Sequence, residues 1–403
     1  MYNVCGIVVP NMLNFLHLSD IHFSKPYQAV YDLDQQLRSE LLRDAVEVKG
    51  EVGSPPHAIL ISGDIAFAGQ SNEYEIAQQW ISELCVSLNC PPENVWCVPG
   101  NHDVCHPTIN ADITIRMCHK ELRTCNPCSI NSILEDYVKA PNDVLYAPLR
   151  NYNAFAQKYN CPVDHSTPWW EEEFELNDGS MLRLRGLNST LISDAEDNRG
   201  SNKLVLGGYQ YGISRSDGVE YMVMCHHPPD WLIDQDEVSD GLKALTKVQL
   251  FGHKHRLRMT KVDESLILSA GAVHPSRQES DWMPRYNWIG VTIDTVDAER
   301  KMLVRVYPRV WQQENSTFIA DSNSCGGQEY KVYNLALSPW ESPGNDNDPK
   351  HSSAERAEIA NEVEQVDEQP TRRSPKRMLS HCFWKLPYIY KLSGTKAEPY
   401  PKR

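Results

Sequence analysis

Aspartate, asparagine and histidine side chains recur in five short pieces of the chain, each at the end of a predicted strand. In chain order the pieces are Asp20-Ile21-His22, Gly63-Asp64, Gly100-Asn101-His102-Asp103, His226-His227-Pro228 and Gly252-His253-Lys254-His255. Carboxylate oxygens are hard donors and imidazole nitrogens are borderline donors. Together they suit Mn, Fe, Zn, Co or Ni better than a calcium cage or a thiolate zinc site. The five pieces therefore predict a dinuclear metal centre.

Such a centre matches the needs of phosphodiester hydrolysis. A phosphodiester is anionic and repels nucleophiles, so the site must provide positive charge and a hydroxide at neutral pH. Two ions about 3.5 to 4 Å apart lower the pKa of a bridging water and clamp the nonbridging phosphate oxygens during in-line displacement. A carboxylate shared by the ions sets their separation.

The order D-x-H, GD, GNHD, H, GHxH resembles the signature of the calcineurin-like metallophosphoesterases, over about residues 14–259. Within that superfamily it is more similar to the class III cyclic nucleotide phosphodiesterase branch than to the protein phosphatases. The resemblance implies that the first metal is held by Asp20, His22 and His255, that the second is held by Asn101, His226 and His253, and that Asp64 bridges them. The expected cofactors are two divalent or trivalent transition metal ions, Mn, Fe or Zn.

The same resemblance implies roles for three more residues. His102 is expected to face the substrate, where an imidazole can stabilise developing phosphorane charge or protonate the leaving oxygen. Asp103 could orient His102. Of the adjacent pair, His226 is favoured as the ligand because it follows the strand directly, and His227 is left as an outer-sphere or substrate contact.

Alternating strands and helices position these pieces. Short apolar runs at 14–18, 58–61 and 95–98 predict buried strands, and helical periodicity predicts helices after the first two. Further strands are predicted at 181–187, 221–225, 248–251, 266–269, 288–293 and 302–306. The fold class expected is α/β, a four-layer α-β-β-α sandwich with two mixed sheets, an insertion cap and a C-terminal extension.

The expected domain is 12–340, with an insertion at 104–170 beside the third piece. The insertion contains Cys125 and Cys128 in C-x-x-C spacing, but irregular flanking spacing favours core thiols over a structural zinc. Residues 341–370 are acidic and polar, which predicts a disordered linker. Residues 371–403 are basic and aromatic; they could bind a protein partner or a membrane surface, or fold back on the domain.

The composition narrows the class of protein. A net charge of −15 argues against nucleic-acid binding through a general basic surface, although a local groove could still bind a strand. No apolar run approaches the roughly 18 residues of a transmembrane helix. The first residues lack a secretory signal, so the twelve cysteines are expected to be reduced and the location cytoplasmic.

The main hypothesis is a metal-dependent phosphodiesterase acting on a nucleotide-type diester with a metal-bound hydroxide. One alternative is a DNA or RNA nuclease of the same superfamily that works with a partner. Another is a catalytically silent protein-binding scaffold. Seven intact donors and His102 argue against the scaffold, because such a protein has no physical need to keep them.

Overall fold

The structure is a computed structural model and describes residues 12–24, 33–139, 143–197, 203–276, 283–296 and 298–340. The predicted linker and tail, 341–370 and 371–403, lie outside the described residues. In these described ranges no helix has the length and apolarity needed to cross a bilayer.

The first sheet has seven strands, both parallel and antiparallel. They are β1 (Leu13–Leu18), β2 (Ala58–Ile61), β3 (Val95–Cys97), β10 (Arg285–Val296), β11 (Glu299–Gln312), β12 (Thr317–Ala320) and β13 (Lys331–Ala336). Their order is β12-β11-β10-β1-β2-β3, and β13 also pairs with β11. Because β1, β2 and β3 are parallel, their carboxyl ends meet at one edge.

The second sheet has six strands in the order β4-β5-β6-β7-β9-β8. They are β4 (Trp170–Glu175), β5 (Met181–Leu187), β6 (Val219–Cys225), β7 (Thr246–Phe251), β8 (Arg258–Val262) and β9 (Ser265–Ser269). The four inner strands are parallel and the two edge strands are antiparallel to them. Both sheets are therefore mixed, as predicted.

Eight α-helices accompany the sheets in the described part of the chain. They are α1 (Leu33–Val52), α2 (Ser71–Leu88), α3 (His106–Ala111), α4 (Ile113–Thr124), α5 (Ile130–Lys139), α6 (Arg150–Ala156), α7 (Gly208–Tyr211) and α8 (Gln235–Leu245). The segment predicted as an insertion thus carries α3 to α6.

The first sheet lies between the second sheet and the helices, and alternate residues along its strands face these two layers. On one face, the ring of Phe15 lies 5.1 Å from that of Phe174 in β4. On the opposite face, Tyr286 donates a hydrogen bond to Asp44 of α1. Since successive strand residues point to opposite faces, the apolar run of β1 is buried on both sides. This confirms the predicted α/β class.

Candidate metal centre

The donor side chains lie in the loops after five parallel strands: β1, β2 and β3 of the first sheet, and β6 and β7 of the second. Backbone hydrogen bonds join these loops directly. The Asp20 amide donates to the Gly63 carbonyl at 3.1 Å, and the Gly252 amide donates to the His226 carbonyl at 3.0 Å. Each bond joins two loops of one sheet, so the loops of each sheet hold one another in place.

Several donor residues occupy the left-handed backbone region, which is uncommon outside glycine. Ten described non-glycine residues have positive φ, and half of them are predicted metal ligands: Asp20, His22, Asp64, His253 and His255, with φ from 52° to 68°. Backbone of this kind persists only where the surrounding structure fixes it, and it concentrates at functional sites. Gly100 allows a further close approach, because a Cβ there would collide with the Asp64 carboxylate.

Asp20, His22 and His255 form what we call the first half of the centre. Their donor atoms all lie within 4.8 Å of one another. Asp20 Oδ1 is 3.2 Å from His255 Nε2. His22 Nδ1 lies 3.1 Å from the His274 carbonyl oxygen, so Nδ1–H donates a hydrogen bond to it. Nε2 then carries the lone pair that faces the centre and can coordinate a metal.

The second half of the centre is formed by Asn101, His226 and His253. Asn101 Oδ1 lies 3.2 Å from His226 Nε2 and 3.0 Å from His253 Nδ1. His226 Nδ1 donates to the Ser62 carbonyl at 2.8 Å, which again leaves Nε2 facing inward. The side chain of His226 is fully buried.

Asp64 lies between the two halves. Its Oδ2 is 3.3 Å from His22 Nε2 and 3.2 Å from His226 Nε2. Its Oδ1 accepts the His102 backbone amide at 2.8 Å, which fixes the carboxylate plane. A carboxylate in this position can contribute to two ion sites at once.

The electrostatics also fit bound cations. Burial opposes ionisation of Asp20 and Asp64, but hydrogen bonds and charge from neighbouring histidines outweigh burial and lower the pKa of both carboxyls. Burial lowers the pKa of His226, yet the Asp64 carboxylate raises it to about 9. Two ionised carboxylates are thus enclosed together and depend on positive charge from their neighbours, a role that bound cations could also fill.

The pKa of His253 shifts in the opposite direction from that of His226. Burial and the charge of His226 lower the pKa of His253 to about 3. A neutral imidazole offers a lone pair for coordination, so the second half supplies nitrogen donors where the first half supplies a carboxylate of its own. This donor set fits transition metal ions.

His102 lies at the edge of the first half, with its ring centroid 4.7 Å from that of His22. Its Nδ1 is 2.7 Å from the Phe67 carbonyl oxygen and must donate to it, so Nε2 is free to face a substrate. Phe67, not Asp103, therefore orients His102.

Asp103 also differs from the expectation that it orients His102, because its carboxylate has other partners. The carboxylate is fully buried and accepts the backbone amides of Ile65, Ala66 and Gly100 at 3.2, 2.9 and 2.9 Å. It also accepts the Tyr74 hydroxyl at 2.9 Å. Burial, with the charge of Asp64, raises its pKa to about 6. Asp103 thus ties the loop after β2 to the turn after β3.

His227 adjoins the second half, and its donor atom lies within 4.8 Å of those of His226 and His253. Its Nε2 lies 3.1 Å from Asn101 Oδ1, and its Nδ1 lies 2.8 Å from Ser189 Oγ. Only His226 of the adjacent pair also approaches Asp64, which favours His226 as the ligand. Burial and the neighbouring His253 lower the pKa of His227 well below its usual value, so its imidazole is neutral.

Sequence reasoning missed three contributors to the site: Ser189, Phe67 and His274. Ser189 had a usable signal, because Asn188-Ser189 follows the predicted strand 181–187 just as the other pieces follow theirs. Phe67 and His274 act through backbone carbonyls, and a carbonyl carries no mark in the sequence.

Comparisons with known proteins identify the family of the chain. A model of the calcineurin-like phosphoesterase family matches residues 13–257, more than half of the chain. No curated protein matches the chain.

Three solved structures are similar at low identity. A Staphylococcus aureus protein described as a candidate 5'-nucleotidase is 12% identical with a TM-score of 0.38, over 83% of this chain and 56% of its own. Purple acid phosphatase PPD1 of yellow lupin is 10% identical with a TM-score of 0.39, over 81% and 54%. Vps29 of Entamoeba histolytica is 10% identical with a TM-score of 0.29, over 81% and 100%. The matched region thus spans about half the length of the first two proteins, and at these scores none of the three bears on the substrate.

Proposed function

The chain belongs to the calcineurin-like phosphoesterase family and is a phosphoric ester hydrolase, and we propose that it cleaves nucleotide-type phosphodiesters at a dinuclear metal centre. The position of Asp64 carries the proposal. One carboxylate oxygen lies within 3.3 Å of donor nitrogens from both halves of the centre, which is the arrangement that a bridging ligand requires.

In this proposal the first ion is held by Asp20, His22 and His255, and the second by Asn101, His226 and His253. Two bound ions of Mn, Fe or Zn would supply positive charge for the phosphate oxygens and would lower the pKa of a water to near neutrality. The ionised carboxylates of Asp20 and Asp64 and the inward-facing nitrogens of His22 and His226 support this assignment.

His102 acts on the leaving group. With Nδ1–H donated to the Phe67 carbonyl, a protonated His102 presents Nε2–H outward and can transfer that proton to the departing oxygen. Proton transfer matters most for alcohol leaving groups such as a ribose hydroxyl, because an alkoxide leaves poorly. This favours sugar-linked diesters over aryl esters as natural substrates.

The nucleotide assignment has two supports. The motif order is closer to the cyclic nucleotide branch than to the protein phosphatases, and the net charge of −15 favours a small diffusible substrate over a polymer. We further propose that residues 12–340 form the catalytic domain, and that the protein acts in the cytoplasm.

The test is manganese-dependent hydrolysis of bis-p-nitrophenyl phosphate beside p-nitrophenyl phosphate, with bound metal counted by inductively coupled plasma mass spectrometry. Asp64→Asn should lower diester turnover about a thousandfold, because the shared carboxylate contributes several kcal/mol of charge stabilisation. It should also lower the number of bound ions. The matched control is Asp263→Asn in the exposed β8–β9 turn, where the residue also has a positive φ of 51°.

His102→Ala separates the proton donor from the ligands. It should keep its metal content and lose about 10²- to 10⁴-fold in turnover of an alkyl diester, with a smaller loss for bis-p-nitrophenyl phosphate. Absence of wild-type diester turnover with Mn, Fe or Zn, or an active Asp64→Asn enzyme, would show that the proposed function is wrong.

A further inference from the structure

An aromatic ring stands exposed beside the proposed proton donor. Phe67 is 53% exposed and lies at the edge of the centre. Its ring centroid is 5.4 Å from that of His102, with the two planes inclined by 37°, and 6.3 Å from that of His22. One side of the ring therefore lines the centre and the other is free to contact a substrate.

The backbone of Phe67 holds the ring in this place. Its amide donates to the Phe23 carbonyl at 3.0 Å, and its carbonyl accepts His102 Nδ1 at 2.7 Å. The adjacent Ile65 and Ala66 amides are fixed by the buried Asp103 carboxylate. The anchored loop thus holds an exposed phenyl ring beside His102, with part of its surface open to a ligand.

The other half of the centre has a different aromatic neighbour. The half-buried Trp231 ring lies 4.0 Å from the His253 ring at 78° and 5.9 Å from that of His227. This edge-to-face packing supports the imidazoles of the second half. Phe67 differs because it borders His102, the residue that faces the leaving group.

We propose that Phe67 is a specificity-determining residue that packs against a planar aromatic group, a nucleobase or an aryl ring, carried by the leaving alcohol of the substrate. The inference rests on the proposed function, because His102 must be the group that protonates the leaving oxygen. Whatever is bonded to that oxygen then lies beyond His102 Nε2 and against the exposed Phe67 ring. Ring-on-ring packing of this kind tolerates any base or aryl group, since each has a π face.

The experiment compares Phe67→Leu and Phe67→Tyr on three diesters. Bis-p-nitrophenyl phosphate and methyl p-nitrophenyl phosphate share an aryl leaving group, whereas glycerophosphoethanolamine has none. Phe67→Leu should lower kcat/KM for both aryl esters by between about fivefold and about a hundredfold. It should leave the alkyl diester within about twofold. Phe67→Tyr keeps a ring and should keep aryl ester turnover.

Controls separate substrate contact from structural damage. Tyr330→Leu removes another exposed ring, 41% accessible and at the edge of the first sheet, and should change none of the three rates. Bound metal and thermal unfolding should match wild type in every variant. Loss confined to bis-p-nitrophenyl phosphate would place Phe67 against the retained group and overturn the proposal. Equal loss on all three diesters, or no loss on the aryl esters, would overturn it too.

The outcomes also separate this inference from the one on which it depends. A wild-type enzyme that cleaves none of the diesters refutes the proposed function and this inference with it. A wild-type enzyme that cleaves them, with no selective effect of Phe67→Leu, leaves the proposed function intact and removes the aromatic subsite alone.

Discussion

The two halves of the metal centre are built from different donors on similar supports. In the first half, Asp20 brings a carboxylate of its own, whereas the second half has a neutral amide, Asn101, in addition to its imidazoles. Each half has a histidine whose Nδ1 is fixed by a backbone carbonyl: His22 by His274 and His226 by Ser62. The halves thus differ in charge more than in rigidity.

This difference in charge determines where each ion would obtain its binding energy. An ion in the first half would face two carboxylates, Asp20 and Asp64. An ion in the second half would face only the shared Asp64 and would depend on nitrogen and amide donors oriented by their neighbours. We therefore expect charge to dominate affinity in the first half and donor orientation to dominate it in the second.

The largest effect should come from neutralising Asp20. At an effective dielectric constant near 20, two unit charges about 4 Å apart interact by about 4 kcal/mol, which is about a thousandfold in affinity and a lower bound for a divalent ion. Asp20→Asn should therefore raise the Mn dissociation constant of one site at least about a thousandfold, as measured by competition with a chelator. His253→Gln in the second half keeps a neutral donor and should weaken one site by less, because it removes no charge.

Asn can occupy the positive φ of Asp20, so Asp20→Asn tests charge without forcing the backbone. Circular dichroism should confirm that both variants fold. Equal weakening in the two variants, or a stronger effect of His253→Gln, would contradict the proposed difference between the halves.

Sequence reasoning found the donors because each lies at the end of a locally recognisable strand. The strands at 58–61 and 181–187 have the predicted bounds, since short apolar runs between polar loops are a local property. By contrast β4 was missed, because it contains four glutamates and glutamate disfavours strands. Arginines of β5 compensate: Arg185 is 2.6 Å from Glu171 and Arg183 lies beside Glu173. That compensation exists only once the two strands pair.

Orientation was the second limit. Asp103 is adjacent to His102 in the chain, yet the 3-10 turn Asn101–Asp103 points its carboxylate into the protein. The two neighbours in sequence thus have different roles: His102 lies at the edge of the centre, and Asp103 holds the loop after β2. Which nitrogen of each histidine faces inward likewise depends on carbonyls contributed by residues distant in the chain, such as His274 for His22.

The residues behind the two halves differ in their response to acid. His17 of β1 lies behind the first half, where burial lowers its pKa to about 4 against the opposing effect of Asp20. Cys225 of β6 lies behind the second half, and burial raises the pKa of its thiol to about 12. Of His17 and Cys225, only His17 should therefore titrate in mild acid.

Because its pKa is lowered in the folded protein, His17 should make the protein less stable in acid. Below the unfolded-state pKa of about 6.5, the unfolded chain binds a proton at this histidine. The folded chain does not bind it until about pH 4, so the free energy of unfolding decreases as the pH falls through this window. The free energy of unfolding should drop by about 2 kcal/mol between pH 7 and pH 5 from this group alone. Urea denaturation at the two pH values measures the drop.

His17→Gln provides the comparison, since glutamine does not titrate and other ionisable groups are unchanged. The difference in unfolding free energy between pH 7 and pH 5 should shrink by about 2 kcal/mol in His17→Gln. An unchanged difference would show that His17 does not carry the acid sensitivity of the first half.

The smallest effect concerns orientation in the second half, through Ser189. Ser189 Oγ accepts the His227 backbone amide at 3.2 Å and lies 2.8 Å from His227 Nδ1. If the hydroxyl donates to Nδ1, the neutral ring carries its proton on Nε2 and donates it to Asn101 Oδ1, 3.1 Å away. This chain of hydrogen bonds would hold the amide oxygen of Asn101 toward the second ion.

Ser189→Ala should therefore weaken one metal site about tenfold and leave the other unchanged, because outer contacts typically contribute ten- to a hundredfold to metal affinity. Ser189→Thr keeps the hydroxyl and should restore binding. Ser265→Ala is the matched control: this buried serine donates to the Thr246 carbonyl at the other end of the second sheet. A loss shared by both ion sites, or equally by Ser265→Ala, would mean that Ser189 supports the fold of the sheet instead of the orientation of Asn101. A loss confined to one site would confirm that the second half depends on oriented neutral donors where the first half depends on charge.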